Sequence, residues 1–209
     1  MWPWRGLSCG IAHLLDSISE FEDRIAAWYG AKHGIATDSC THALELCLRL
    51  KDVAVSNCPA HTYLSVPMTM HKLNMLWSFT DESWTESYLL GGTNIRDAAV
   101  QWRQGSHIAG EYTCLSFQFK KHLSLGRGGM ILCDDASDAL TLRKMSYDGR
   151  LPGTPWADQQ IDTWGYHYYM TPEMAELGLL RLPAAMRMSA RTWDWRDYPD
   201  LRHMEVFGS

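Results

Sequence analysis

At 209 residues the chain can bury a real core as one large domain, or as one domain with an appended segment. Hydrophobic content of 46% and charged content of 21% are ordinary for a globular protein, and a net charge of −5 argues against an extended electrostatic footprint for nucleic acid, though not against a local basic patch. The six cysteines (Cys9, Cys40, Cys47, Cys58, Cys114, Cys133) form no C-x-x-C pair, no apolar run is long enough to span a membrane, and MWPWRGLSCGIAHLL lacks a signal-peptide pattern; together these point to reduced thiols in a cytoplasmic protein.

The first predicted element is a helix over 17–29. Ser17 and Glu20 have capping-box spacing, Phe21, Ile25 and Trp28 recur at helical intervals, and Gly30 ends it. A short strand over 33–37 follows, then the small polar turn Asp38–Ser39–Cys40–Thr41 and an amphipathic helix carrying Leu44, Cys47 and Leu48. Strand, polar turn, helix points backbone N–H groups at an anion, but it equally describes an ordinary N-cap by Ser39 or Thr41. A strand over 53–56, a helical stretch through 68–72 and a strand over 75–79 come next, with 82–92 reading as a loop. A strand over 94–101 carries an acid, Asp97.

Residues 114–119 read as a buried strand running into two lysines, Lys120 and Lys121, and a glycine cluster at Gly126, Gly128 and Gly129. A lysine desolvated at the end of such a strand has a lowered pKa and can form a Schiff base; two solvated lysines opening a turn would give the same letters. A strand over 130–133, a helix over 137–145 and a proline- and glycine-bearing loop over 148–160 follow. Thr171, Pro172 and Glu173 start a helix that runs to Leu182, where Pro183 is expected to kink or interrupt it. The domain is taken as 1–189, with 190–209 a Trp/Arg-rich tail without clean period. Alternation of strands and helices predicts an α/β domain with a mostly parallel sheet flanked by helices.

Taken in order, five segments resemble the DegT/DnrJ/EryC1/StrS sugar aminotransferases, within the fold type I pyridoxal-phosphate enzymes. They are FEDRIAAWYGAKHGIATDSCTHALELCL, CPAHTYLSV, NIRDAA, SFQFKKHLSLGRGG and GYHYYMTPEMAELGLLRL. The resemblance implies the large domain of that fold and pyridoxal 5'-phosphate as cofactor. It puts Lys121 at the Schiff-base position and Asp97 opposite the pyridinium nitrogen. Cys40, Thr41 and Ser116 would hold the phosphate and Tyr63 would stack on the ring. His167 falls where the family has an asparagine reaching the neighbouring subunit's phosphate, which implies a homodimer with the site at its interface. The ten tryptophans fit apolar surfaces between subunits, or simply a bulky core.

The function so implied is transfer of an amino group from an amino acid donor to a keto sugar or related carbonyl. Decarboxylation or elimination on a bulky amine- or nucleotide-linked substrate, or cofactor binding without turnover, are the alternatives. Several positions depart from the family pattern. Cys40 replaces a glycine, Val100 a Gln or His (Gln101 is one position off), Arg96 and Arg127 acids, and Tyr169 an arginine. The interval from Tyr63 to Asp97 is short by a strand and a helix, and the small C-terminal domain is largely missing. Such a site would have an open mouth, suited to a bulky substrate.

Overall fold

A computed structural model describes the backbone of residues 8–208 and the side chains of residues 16–208, so Cys9 and the first residues lie outside the described side chains. Helix α1 (Ser8–Tyr29) starts earlier than its capping-box signal and ends at Gly30, whose φ of +84° suits a residue without a Cβ. Strand β1 (His33–Thr37), helix α2 (Cys40–Leu50), strand β2 (Val55–Pro59), helix α3 (Ser65–Lys72) and strand β3 (Leu76–Thr80) follow close to their predicted places. Then come β4 (Tyr88–Leu89), β5 (Ile95–Asp97), β6 (Tyr112–Ser116), β7 (Gly129–Cys133), α4 (Ala136–Ser146) and α5 (Pro172–Arg187). Helix α5 is not interrupted at Pro183 and continues to Arg187, with Leu182 and Ala185 buried on either side of the proline.

The main sheet has five strands in the order β1-β7-β6-β5-β4, and β2 and β3 form a separate parallel pair. The sheet is mixed rather than mostly parallel: β5 and β6 run parallel, whereas β1–β7, β6–β7 and β4–β5 are antiparallel. The cause lies in the connections. A parallel neighbour needs a long crossover, usually a helix, but β6 returns to β7 through a loop without one, and β4 turns directly into β5.

Layering follows from period-two alternation in strands buried on both faces. Ile35, Cys114, Ile131 and Cys133 face one side and pack with Leu44, Leu48 and Leu142 of α2 and α4. Ala36, Leu115, Met130 and Leu132 face the other, against Phe21 and Ile25 of α1 and Leu182 of α5. Each burial of a large aliphatic side chain here contributes roughly 1.5–3 kcal/mol. A buried ion pair locks the layers: Arg143 of α4 reaches Glu22 of α1 at 2.7 Å, and Glu22 also accepts from the Ala36 amide at 2.7 Å.

The residues after α5 do not trail away. Three 3₁₀ turns, Trp195–Asp197, Leu201–His203 and Glu205–Phe207, fold back onto the body. Single bridges join Asp194 to Thr85 and Asp200 to His61, the Leu201 amide donates to the Ala60 carbonyl at 3.0 Å, and Leu201 is buried. The segment docks on 60–61 and 84–86, beside the interval that the sequence marked as short. The tryptophans divide: Trp84 is buried, whereas Trp156 and Trp164 are exposed.

Candidate active site

The ends of β1, β5 and β6 and the N-terminus of α2 surround a cleft of about 360 Å³. Ser39, Cys40, Thr41, Tyr63, Asp97, Ser116 and Lys121 line it. Six of the seven residues singled out in the sequence are therefore brought together from four separate stretches of chain. The seventh, His167, lies outside the lining. Its exposed ring pairs with Asp148 at 3.1 Å and with the Tyr169 hydroxyl at 3.2 Å.

At one end, Ser39 caps α2 by accepting from the His42 amide at 3.2 Å, and Ser39, Cys40 and Thr41 at the start of that helix line the cleft. Thr41 and Ser65 share a hydroxyl hydrogen bond of 2.8 Å at the same end. Cys40 does not obstruct this turn, because its thiol points inward to the Cys114 carbonyl at 3.5 Å. The glycine that close approach demands is on the opposite strand. A Cβ on Gly129 would lie 2.4 Å from the Cys40 nitrogen, so β7 and the start of α2 can touch only because that position has no side chain.

The loop from β6 to β7 carries Lys121. It is tied back on itself by Phe117 N to Gly128 O at 2.9 Å, Phe119 N to Gly126 O at 3.1 Å and Lys121 N to Gln118 O at 2.8 Å. Leu123 and Leu125 anchor it in the core, while Lys120 projects outward over Phe119. Both lysines border the cleft, but Lys120 is exposed and only Lys121 is desolvated there. Burial pulls its amine below the ordinary lysine range, with Asp97 and Cys40 pulling the other way. Asp97 sits deep at the end of β5, and burial pushes its carboxyl above the usual range. Hydrogen bonds from the Ala99 amide at 2.9 Å and the Tyr88 hydroxyl at 2.8 Å, and the charge of Lys121, oppose that rise.

Lys121 and Asp97 act on each other through space, with no hydrogen bond between them. A nucleophilic amine, a buried acid across the cleft, hydroxyls at a helix N-terminus and an aromatic ring at the rim match the four needs of pyridoxal phosphate. These residues fit the group. Gln101 does not replace the residue missing at Val100, since its amide is engaged with Ser87 at 3.4 Å and Ser106 at 3.2 Å outside this cleft.

Other lining residues carried no local signal. Trp193, Asp197 and Tyr198 come from the C-terminal segment and form a wall of the cleft beside Lys120 and Arg127. Arg127 reaches Asp38 at 2.7 Å, so the basic residue standing where an acid was expected finds its partner at the α2 turn. Among the described residues no metal-binding cluster occurs, and no helix is long and apolar enough to cross a membrane.

The spore coat polysaccharide biosynthesis protein SpsC of Bacillus subtilis is 24% identical over 83% of this chain and 58% of its own length. Among solved structures, 3-amino-5-hydroxybenzoic acid synthase superposes with a TM-score of 0.66 at 19% identity, over 88% of this chain and 64% of that one. DesI, solved with its TDP-sugar product, gives 0.64 at 20% identity, over 85% and 58%. A DegT/DnrJ/EryC1/StrS aminotransferase from Brucella abortus gives 0.68 at 17% identity, over 86% and 64%. The fold is that of the type I pyridoxal-phosphate enzymes, and the chain spans less than two thirds of the length of these relatives. The model of the DegT/DnrJ/EryC1/StrS aminotransferase family matches residues 10–90 and 92–198, and the chain belongs to that family.

Proposed function

We propose that the chain is a pyridoxal-phosphate-dependent aminotransferase that moves an amino group from an amino acid to a keto sugar or related carbonyl. The observation that carries this reading is the pairing of Lys121, its amine depressed by burial, with the buried Asp97 across one cleft. Pyridoxal phosphate bound there would supply the electron sink that no side chain offers.

The remaining work falls to this chain's own groups. Lys121 Nζ would bear the covalent attachment and move the proton at the substrate carbon. Asp97 would face the ring nitrogen, and its raised affinity for a proton suits a carboxylate waiting for a cationic partner. The α2 N-terminus with Thr41, and the Ser116 hydroxyl, would hold the phosphate, while Tyr63 would cover a ring face. Trp193 and Tyr198 would keep water from one side, a task otherwise given to a lid. His167 is exposed and so accessible to a second copy, in keeping with a homodimer whose site lies at the interface.

The test is an absorbance spectrum with added pyridoxal phosphate, wild type beside Lys121→Ala. A visible band trapped by borohydride in wild type and lost in the variant is expected. No band in either protein would overturn the reading.

A further inference from the structure

Asp97 is held from behind by residues outside the cleft. In the antiparallel β4–β5 pair, Tyr88 lies directly across from Asp97, and its hydroxyl donates to Oδ2 at 2.8 Å. The same hydroxyl is hydrogen-bonded to Thr62 Oγ1. A phenol has one proton. Since that proton goes to the carboxylate, Thr62 must be the donor in the second bond. The chain therefore runs from Thr62 to Tyr88 to Asp97, each donor polarising the next. Tyr88 and Thr62 are both buried, and neither lines the cleft that holds Lys121.

The support for Tyr88 comes from the reshaped part of the chain. Its ring packs on Trp84 at 5.3 Å, Trp84 packs on Tyr198 at 5.4 Å, and the Trp195 amide donates to the Trp84 carbonyl at 3.1 Å. The two-residue β4 and the C-terminal segment thus fix one phenol against one carboxylate. The other titratable groups facing Asp97 are the Lys121 amine, the Cys40, Cys58 and Cys114 thiols and the Tyr198 phenol. Of these only Lys121 is a cation, and it is the group that the cofactor would take.

We propose that Tyr88, oriented by Thr62, is a positioning residue that keeps Asp97 ionised and aimed into the cleft, so that it can partner a protonated ring nitrogen. The inference rests on the reading of the cleft as a cofactor site, but its first test does not need the cofactor. In the protein without added cofactor, the Asp97 carboxyl is titrated by carbon-13 NMR in wild type, Tyr88→Phe and Thr62→Val. Losing a hydrogen bond to a charged group raises the midpoint by about 1 pH unit or more in Tyr88→Phe, and by less in Thr62→Val.

The second test uses pyridoxal phosphate labelled with nitrogen-15 in the ring. A more basic Asp97 draws the shared proton from the ring, so the nitrogen signal of Tyr88→Phe moves toward that of neutral pyridine. The visible lysine-bound band persists, and kcat falls about tenfold with KM for the amino donor unchanged. Identical Asp97 titrations in the three proteins, or an unmoved ring-nitrogen signal, would overturn the proposal. If Tyr88→Phe does not fold, Thr62→Val, which loses only a hydroxyl, decides on the same two readings. Failure of wild type to bind pyridoxal phosphate would instead strike the cofactor reading and leave the Asp97 titration to judge Tyr88.

Discussion

The two sides of the cleft are built differently. The side made by the α2 turn and the β6–β7 loop is assembled from contiguous motifs, and its contacts are largely short-range or between neighbouring strands of one sheet. The opposite side is made by Trp193, Asp197 and Tyr198, and the 81–94 interval, about a hundred positions away in the chain, backs that segment through Thr85–Asp194 and Trp84–Trp195. The first carries Lys121, whose amine is desolvated. The second supplies a wall and the support for the acid. Chemistry can thus stay fixed in a local motif while the shape around it is rebuilt from distant chain.

Substitutions in each half should break different things. The largest effect belongs to the motif side: Lys121→Ala should lower transamination at least about a thousandfold while leaving the thermal midpoint intact or higher, because the nucleophile is lost and the fold is not. Next comes the rebuilt side. Leu201 is fully buried, so Leu201→Ala should cost about 2–5 kcal/mol in denaturant unfolding and loosen the segment's grip on Ala60. An unchanged midpoint would mean that the segment does not fold with the body.

Gly129→Ala should cost about 1–3 kcal/mol and also weaken phosphate binding, since the new methyl would push the start of α2 away from the cleft. Cofactor affinity measured by absorbance titration separates that from a purely global loss. If the variant binds pyridoxal phosphate as wild type does, the phosphate end is not where the α2 turn puts it.

The smallest expected effect is one of pH. Burial holds Lys121 below the ordinary lysine value, so between the folded and unfolded values the folded state binds fewer protons. Its penalty on stability is full below the folded value and is relieved as pH rises toward about 10.4. Lys121→Met should therefore melt slightly higher than wild type near pH 7, with the difference shrinking as the pH is raised. By the same sign, the rate at which wild type takes up pyridoxal phosphate should climb with pH through a midpoint below that of a free lysine. A midpoint at the free-lysine value would show Lys121 to be solvated.

Much of the site was legible because its signals are local. A buried strand ending in Lys120 and Lys121, an acid closing a strand at Asp97, and a polar turn opening a helix at Ser39–Thr41 each sit within a few residues. Tyr88, Thr62, Trp193 and Tyr198 were not legible. Tyr88 lies in a stretch that reads as a loop, because a two-residue strand has no periodicity to detect. The C-terminal segment reads as an irregular tail for the same reason, since 3₁₀ turns have no amphipathic repeat and only one fully buried leucine. His167 matched a motif position, yet within one chain it stands apart from the cluster.

The amino-acid sequence by itself determined the helices, the buried strands and the family, since these depend on periodicity, caps and motifs along a few turns of chain. Only the tertiary structure decided the strand directions, which of the two lysines is desolvated, and what stands behind Asp97. Those depend on connection length, on which side of a loop is desolvated, and on long-range pairing between segments whose composition carries no record of their partners.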